Sequence, residues 1–275
     1  MNTDLAEKVV LITGASGGIG SAIVQKFAAE SAKLALQYRR SHAQIDALRR
    51  VLNLSDSLTI QADLSKEAQV KRLFAKALSH FGRIDTLVAN AGSWVTEDIP
   101  LHRMSLGQWR QTLDGVLTTT FLTVREFFRI VAKQKQGNAV LISSTAAVFG
   151  EAGHADYSAG KAAIAYGLTR TLKNELARLA PHTRDYCGGR INCICPGWTI
   201  VPRNKAKLRD ARIIKKVIAT MALPQIARPA DIAHAAVFLS SDTLARHITG
   251  QTLTIAGGME GRWLWQPYEV DPTLA

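Results

Sequence analysis

The sequence has no long uncharged apolar run: nowhere do about 18 such residues follow one another, the length that a transmembrane helix needs. The segment from Met1 to Lys8 carries Asp4 and Glu7 and no long apolar region, so a signal peptide is not expected. Both absences argue against a membrane protein. They predict a cytoplasmic protein without a membrane partner.

Cysteine is also scarce. Three cysteines cannot form a disulfide framework in a chain of 275 residues. Cys193 and Cys195 flank Ile194, and because no second cluster of Cys or His lies nearby in sequence, the pair is a poor zinc site. We interpret both as small apolar residues on a buried strand and expect no metal.

Acidic residues are outnumbered, with 22 Asp and Glu against 34 Lys and Arg, which gives a net charge of +12. This balance fits a nucleic-acid binder, an enzyme for anionic substrates or partners, or a basic surface. No nucleic-acid motif accompanies the charge, so nucleic acid is not expected as a partner. The basic residues are densest from Lys205 to Lys216, where only Asp210 opposes them. That segment fits either an acidic substrate or partner, or a solvated helical face.

Repeats and low-complexity tracts are absent, and short apolar runs alternate with helical patterns instead. The predicted strands are 9–12, 34–38, 58–62, 86–89, 139–143, 190–195 and 252–255. The predicted helices are 19–31, 44–54, 66–81, 106–119, 119–134, 158–179 and 232–240. The segments 106–119 and 119–134 form either two helices or one long element. Strands that are apolar throughout are typical of a parallel sheet covered by helices. The alternation predicts a Rossmann-type doubly wound α/β fold of about seven strands with helices on both faces.

No linker rich in Pro, Gly or Ser divides the chain, so we predict a single dinucleotide-binding domain over residues 1–275. Two segments extend the regular pattern. Residues 198–229 are predicted to form a substrate-side loop with its own helix. The tail at 260–275 carries Trp263 and Trp265, and exposed aromatic residues of this kind often mark an interface.

A glycine-rich turn, Thr13 to Gly20, lies between the first predicted strand and the first predicted helix. Glycines at 14, 18 and 20 allow the backbone to turn sharply and approach a pyrophosphate at the helix N-terminus. A turn in this context favours nucleotide binding over a merely structural role.

The end of the second predicted strand indicates which nucleotide binds. An NAD site usually has an acidic residue there, which holds the ribose 2′-hydroxyl. This chain has Tyr38, Arg39 and Arg40 instead. Guanidinium groups pair well with phosphate, so the sequence favours NADP(H) over NAD(H). The alternative is that both arginines only cap a surface loop.

Tyr157 and Lys161 are four residues apart at the start of a predicted helix, so both project from one face. An ammonium close to a phenol favours the phenolate, so we expect Lys161 to lower the pKa of Tyr157. Ser144 follows the fifth strand at the carboxyl edge of the sheet, where doubly wound folds bind ligands. These three side chains are the predicted catalytic group.

With these motifs the chain resembles the short-chain dehydrogenase/reductase family over about residues 6–259. The matching segments are Thr13 to Gly20, Asp63-Leu64, Asn90-Ala91-Gly92, Ser144, Tyr157 to Lys161, Pro196-Gly197, and Thr249 to Gly258. The similarity is closest to 3-oxoacyl-carrier-protein reductases and glucose-dehydrogenase-like members. The segment from Tyr38 to Ser41 is also similar to pteridine reductases.

The resemblance implies a role for each matching position. Tyr157 protonates a carbonyl oxygen as hydride arrives, Ser144 hydrogen-bonds that oxygen, and Lys161 tunes Tyr157 and holds the nicotinamide ribose. It further implies a homotetramer or homodimer. The cofactor-binding residues are expected to be Gly14, Ser16, Gly18, Ile19, Gly20, Tyr38, Arg39, Arg40, Asp63, Leu64, Asn90, Ala91, Gly92, Tyr157, Lys161, Pro196, Gly197 and Thr199.

Three positions depart from the family pattern. Val116 stands where an asparagine usually supports a proton-relay water, Val201 replaces a threonine, and Ala256 replaces an aspartate. Either Asp114 or a backbone-held water replaces the relay, or turnover is slow. The extreme alternative is a nucleotide-binding regulatory or scaffold protein with little turnover.

The substrate pocket is expected to include Trp94, Phe149, His154 and Trp198. We predict an NADP(H)-dependent oxidoreductase that transfers hydride between nicotinamide and a carbonyl or alcohol. The candidate substrates are a 3-oxoacyl-type ketone, a sugar or another small carbonyl compound, including an anionic or acyl-carrier-bound one. Pteridine-reductase-like activity is an alternative.

Overall fold

Seven parallel strands form one sheet in the described part of the chain. A computed structural model describes residues 2–93 and 95–259, so Met1, Trp94 and the tail at 260–275 lie outside the described residues. The strands are β1 (Val9–Ile12), β2 (Lys33–Tyr38), β3 (Leu58–Gln61), β4 (Thr86–Ala89), β5 (Asn138–Ile142), β6 (Arg190–Pro196) and β7 (Thr252–Ile255). Their order is β3-β2-β1-β4-β5-β6-β7, and neighbouring strands are parallel. This is the Rossmann-type doubly wound fold that the sequence predicts.

Helices cover both faces of this sheet. They are α1 (Gly18–Ala29), α2 (His42–Val51), α3 (Glu67–Phe81), α4 (Leu106–Leu113), α5 (Thr119–Gln134), α6 (Ala146–Phe149), α7 (Ala155–Ala162), α8 (Thr169–Leu179), α9 (Ala211–Ile218) and α10 (Pro229–Ser240). Helices α1, α2 and α10 contribute to one core layer, and α3, α5 and α8 contribute to the other.

The strands are apolar throughout because both of their faces are buried. On β1, Leu11 packs in the layer of α3 and α5, whereas Val10 and Ile12 pack in the layer of α1 and α10. Successive side chains of a strand point to opposite faces, so each face of the sheet needs its own apolar set.

Two helical elements contain a wide, π-type turn that the sequence does not predict. The first, at Asp114–Thr118, joins α4 to α5, and the second, at Ala163–Leu168, joins α7 to α8. Threonine hydroxyls satisfy backbone carbonyls at both turns: Thr119 Oγ1 donates to Asp114 O at 2.9 Å, and Thr169 Oγ1 donates to Ile164 O at 2.8 Å.

Other features of the described residues bear on the predictions. No helix in residues 2–93 and 95–259 is long and apolar enough to cross a membrane. The same residues contain no group of three or more His, Cys, Asp or Glu placed to hold a metal ion. Cys193 and Cys195 are fully buried on β6, as predicted, and both carry free thiols.

Candidate active site

The candidate residues gather at the carboxyl edge of the sheet. Strand β1 lies between β2 and β4, so the chain crosses to the other side of β1 after β3. Loops on the two sides of such a switch point diverge and leave a crevice at the strand ends. The glycine turn follows β1, and Ser144 follows β5 two residues after that strand ends.

The glycine turn leaves no room for side chains. Gly14 has a φ of +63°, and a Cβ atom on it would lie 3.0 Å from the Ala91 Cα atom. A Cβ atom on Gly20 would lie 2.1 Å from the Gly14 carbonyl oxygen. Helix α1 begins at Gly18, so N–H groups of its first turn have no partner within the helix. Such a turn can take a diphosphate against the backbone.

Side chains from neighbouring strands hold the turn in place. The Gly14 N–H donates to Gln37 Oε1 at 2.8 Å, and Gln37 Nε2 donates to the Ala62 carbonyl at 2.7 Å. Thr13 Oγ1 accepts the N–H groups of Asn90 and Ala91, each at 3.0 Å. Sequence reasoning placed Thr13 in the turn but assigned no role to it or to Gln37, because their contacts join segments that are distant in sequence.

The segment after β6 contacts the same turn. A Cβ atom on Gly18 would lie 2.7 Å from Val201 Cγ1, so the start of the 198–229 loop contacts the glycine turn. Asn204 braces this loop: its Oδ1 accepts the Val201 N–H at 2.9 Å, and its Nδ2 donates to the Thr199 carbonyl at 2.7 Å. The structure therefore brings Thr199, Gly197 and the glycine turn to one edge, and it adds Asn204.

Arg39 and Arg40 follow β2 and are both exposed. Burial raises the pKa of the Asp63 carboxyl, but hydrogen bonds from Ser65 and the charge of Arg39 outweigh it and hold that pKa below its usual value. Arg39 and Asp63 thus lie within electrostatic reach of each other beyond β2 and β3. The remaining cofactor candidates lie at this carboxyl edge as well: Ser16, Ile19, Tyr38, Leu64, Gly92 and Pro196.

Ser144, Tyr157 and Lys161 lie together. Tyr157 is 8% exposed and is hydrogen-bonded to Ser144. Lys161 is 4% exposed, with its Nζ atom 5.8 Å from the Tyr157 ring centroid and 2.8 Å from the Ile142 carbonyl oxygen. Ser143 Oγ donates to the Lys161 carbonyl at 2.8 Å, which ties α7 to the end of β5.

The pKa of Tyr157 corrects one expectation. Burial raises it to about 12, and the hydrogen bond to Ser144 only partly opposes this; Glu151 adds to the rise and Arg203 opposes it. Lys161 therefore does not bring the pKa of Tyr157 below its ordinary value, because loss of hydration disfavours the phenolate more. Burial also lowers the pKa of Lys161, to about 8. At neutral pH Tyr157 keeps its proton, and most of the Lys161 side chains keep theirs.

Val116 is fully buried in the first wide turn. A Cβ atom on Gly160 would lie 3.4 Å from Val116 Cγ1, so the valine packs against α7 beside Lys161. The Val116 carbonyl accepts from Thr120 Oγ1 at 2.8 Å. Asp114 is exposed and accepts from Thr118 Oγ1 at 3.1 Å. The Val116 side chain thus contributes packing and no polar group.

Asp156 is a buried carboxylate that sequence reasoning missed. It is 2% exposed, and its Oδ2 accepts from Thr112 Oγ1 at 2.6 Å and from Gln108 Nε2 at 3.3 Å. Its Oδ1 accepts the Tyr157 N–H at 2.8 Å. The carboxylate therefore ties α4 to the first turn of α7. The only sequence signal for it was its position next to Tyr157.

We expect Asp156→Ala to lower the free energy of unfolding by about 1.5–3 kcal/mol, because it removes hydrogen bonds to a charged, buried group. Urea denaturation measures this difference. Asp185→Ala removes an exposed carboxylate and is the matched control, for which no comparable loss is expected. Equal stability of the two variants would show that the carboxylate does not tie the helices together.

The substrate candidates are only partly placed. Trp94 lies outside the described residues. Phe149 ends α6 and Trp198 follows β6; both are partly buried at the carboxyl edge. His154 is buried immediately before α7, three residues from Tyr157.

Comparison with known proteins decides the family. A family model described as "Enoyl-(Acyl carrier protein) reductase" matches residues 14–260. The chain belongs to the short-chain dehydrogenase/reductase family. The protein is an oxidoreductase of this family, as the sequence motifs predict.

Two relatives in the short-chain dehydrogenase/reductase family align over nearly their whole length. A 3-oxoacyl-[acyl-carrier-protein] reductase of Synechocystis sp. is 34% identical over 259 residues, which cover 94% of this chain and 98% of the relative. An acetoacetyl-CoA reductase of an Acinetobacter species is 35% identical over 264 residues, which cover 92% and 98%.

Proposed function

We propose that this protein is an NADPH-dependent reductase of 3-oxoacyl thioesters in which Tyr157 protonates the carbonyl oxygen. The observation that carries this proposal is the grouping of buried Tyr157 and Lys161 with the partly buried Ser144, at the carboxyl edge of the sheet that also holds the glycine turn. The substrate class follows from the two relatives, whose names specify a 3-oxoacyl carrier protein and acetoacetyl-CoA.

The chain supplies the proton and orients the carbonyl. A bound dihydronicotinamide would supply the hydride to the carbonyl carbon. Tyr157, whose pKa is raised to about 12, holds its proton at neutral pH and donates it to the oxygen. Ser144 donates a hydrogen bond to the same oxygen and stabilises its developing charge. The Lys161 ammonium, 5.8 Å from the Tyr157 ring, stabilises the phenolate that remains.

The cofactor preference rests on two exposed arginines. A dinucleotide fits the turn between Gly14 and Gly20, where added side chains would collide with the backbone. Arg39 and Arg40 lie directly after β2, where the ribose 2′ position is expected. Two guanidinium groups and the absence of a carboxylate at that strand end favour a 2′-phosphate over a free hydroxyl.

Further proposals follow from the family and the chain. We infer that residues 1–275 form a single cytoplasmic domain that assembles into a homotetramer or homodimer.

The 198–229 loop contacts the glycine turn through Val201, which suits a segment that covers the site. Exposed Arg209, just before α9, and exposed Arg212 and Lys215 on α9 suit an anionic substrate or a carrier.

Wild-type protein with NADPH and acetoacetyl-CoA tests the proposal. We expect oxidation of NADPH with equimolar formation of 3-hydroxybutyryl-CoA, identified by mass spectrometry. NADPH binding without turnover of acetoacetyl-CoA, a sugar or another carbonyl compound would favour the regulatory or scaffold alternative. Turnover of a pteridine alone would favour the pteridine-reductase alternative.

A further inference from the structure

Two thiols lie side by side on β6, next to Ser144. Cys193 and Cys195 are two residues apart on this strand, so their side chains point to the same face of the sheet. Both belong to the core layer of α3, α5 and α8, whereas Ile194 between them belongs to the opposite layer. A hydrogen bond joins the two thiols, and both residues are fully buried. The pair therefore has the arrangement of a dithiol.

The two thiols differ in reactivity. The hydrogen bond from Cys193 contributes most to lowering the pKa of the Cys195 thiol, and the Ser144 N–H adds to this effect while burial opposes it. The same hydrogen bond, together with burial, raises the pKa of the Cys193 thiol. Because the thiolate is the nucleophile, Cys195 reacts first and Cys193 supplies the second sulfur.

The location of the pair restricts the reagent that reaches it. Cys195 is the last residue but one of β6, beside the partly buried Ser144 at the carboxyl edge of the sheet. Full burial excludes bulky thiol reagents. Hydrogen peroxide is close to water in size and oxidises thiolates, so it is the reagent that suits this position.

We propose that hydrogen peroxide converts Cys193 and Cys195 into a reversible disulfide that lowers turnover. The Cys195 thiolate attacks one peroxide oxygen and the O–O bond breaks, which gives a sulfenic acid and a hydroxide that takes up the proton released by Cys195. The Cys193 sulfur then attacks the Cys195 sulfur, the S–O bond breaks and a second water leaves. The two thiols lose two electrons in total, and these reduce one peroxide to two waters.

The strand geometry makes this disulfide strained. Residues two apart on a strand have Cα atoms about 6.6 Å apart, close to the upper limit of about 6.8 Å for a disulfide. Closing the bond draws Cys193 and Cys195 together and bends the end of β6. Strained disulfides are readily reduced, so a dithiol such as dithiothreitol reverses the oxidation.

The bend reaches Ser144 through backbone hydrogen bonds. The Ser143 N–H donates to the Ile194 carbonyl at 2.7 Å, and the Thr145 N–H donates to the Pro196 carbonyl at 2.9 Å. These two bonds hold the segment around Ser144 to the part of β6 that contains the dithiol. Because a displacement of about 1 Å can cost a catalytic group about a hundredfold in rate, we expect oxidation to lower kcat by about ten- to a hundredfold.

Peroxide treatment of the wild-type protein tests the proposal. After treatment, free thiols are alkylated in denaturant and the tryptic peptides are identified by mass spectrometry. Residues 191–203 form one tryptic peptide with both thiols, and residues 185–190 form another with Cys187. We expect the first peptide to escape alkylation and to be lighter than its reduced form by two hydrogen atoms. The kcat for acetoacetyl-CoA should fall as stated and return after dithiothreitol.

Two variants are each compared with their own untreated activity. Cys187→Ala is the matched control, and it should show the loss and the recovery of the wild type. Cys193→Ala leaves Cys195 without a second thiol, so excess peroxide should oxidise Cys195 to the sulfinic acid, which dithiothreitol does not reduce. Its activity should therefore be lost without recovery.

Three results would overturn the proposal: alkylation of both thiols after peroxide, a disulfide that leaves kcat unchanged, or recovery of Cys193→Ala as complete as that of the wild type. The formation of the disulfide does not depend on the proposed function, but its effect on turnover does. If untreated wild-type protein reduces no acetoacetyl-CoA, the proposed function fails, while the peptide mass still decides whether the disulfide forms.

Discussion

Tyr157→Phe should lower kcat for acetoacetyl-CoA reduction by about 10²–10⁴-fold, the usual contribution of a positioned general acid. The substitution removes one hydroxyl and keeps the ring, which is 8% exposed and packs in the core layer of α5 and α8. The loss should therefore appear in kcat, with little change in stability. The initial rate of NADPH oxidation at saturating substrate measures it.

Tyr166→Phe is the matched control for this variant. Tyr166 lies in the second wide turn, where Arg170 stacks over its ring at 5.1 Å, and it belongs to no part of the proposed site. It should keep the wild-type kcat and bind NADPH as the wild type does. A Tyr157→Phe enzyme with wild-type kcat would remove Tyr157 from the mechanism.

Arg39→Ala should weaken NADPH binding by about ten- to a hundredfold, the equivalent of losing a hydrogen bond between charged groups. NADH binding should stay the same, because NADH has a hydroxyl where NADPH has the phosphate. The arginine is exposed after β2, so its removal should not disturb the core. Fluorescence titration with each dinucleotide gives both dissociation constants.

Arg178→Ala controls for the change in net charge. It removes one exposed positive charge at the end of α8 from a chain whose net charge is +12. If a general attraction for anions accounts for NADPH binding, the two variants should lose the same affinity. Tighter binding of NADH than NADPH by the wild type would contradict the preference while keeping the reductase assignment.

The strands and the motifs were predictable because their physical causes are local. Four consecutive apolar residues, Val9 to Ile12, suit a strand buried on both faces, and the glycines that follow suit a turn. The spacing of Tyr157 and Lys161 already puts them on one helical face. That helix was predicted to begin at Ser158, but α7 begins three residues earlier, at Ala155.

Other features depend on contacts between distant parts of the chain. Asp156 and Thr112 meet across 44 positions, and Gln37 reaches Gly14 across 23. Helical periodicity does not reveal the wide turn at Asp114–Thr118, since its neighbours α4 and α5 have ordinary patterns. The raised pKa of Tyr157 depends on how deeply the fold buries the ring, which the spacing to Lys161 does not specify.

Hydride transfer from C4 of NADPH to the 3-oxo carbon is tested most directly with NADPH that carries deuterium at the C4 position from which the hydride leaves. Wild-type protein reduces acetoacetyl-CoA with this cofactor, and the product is analysed by mass spectrometry and NMR. We predict 3-hydroxybutyryl-CoA with one deuterium at C3, formed in step with the oxidised cofactor. A product without deuterium at C3, or no product while the cofactor binds, would contradict the proposed reduction.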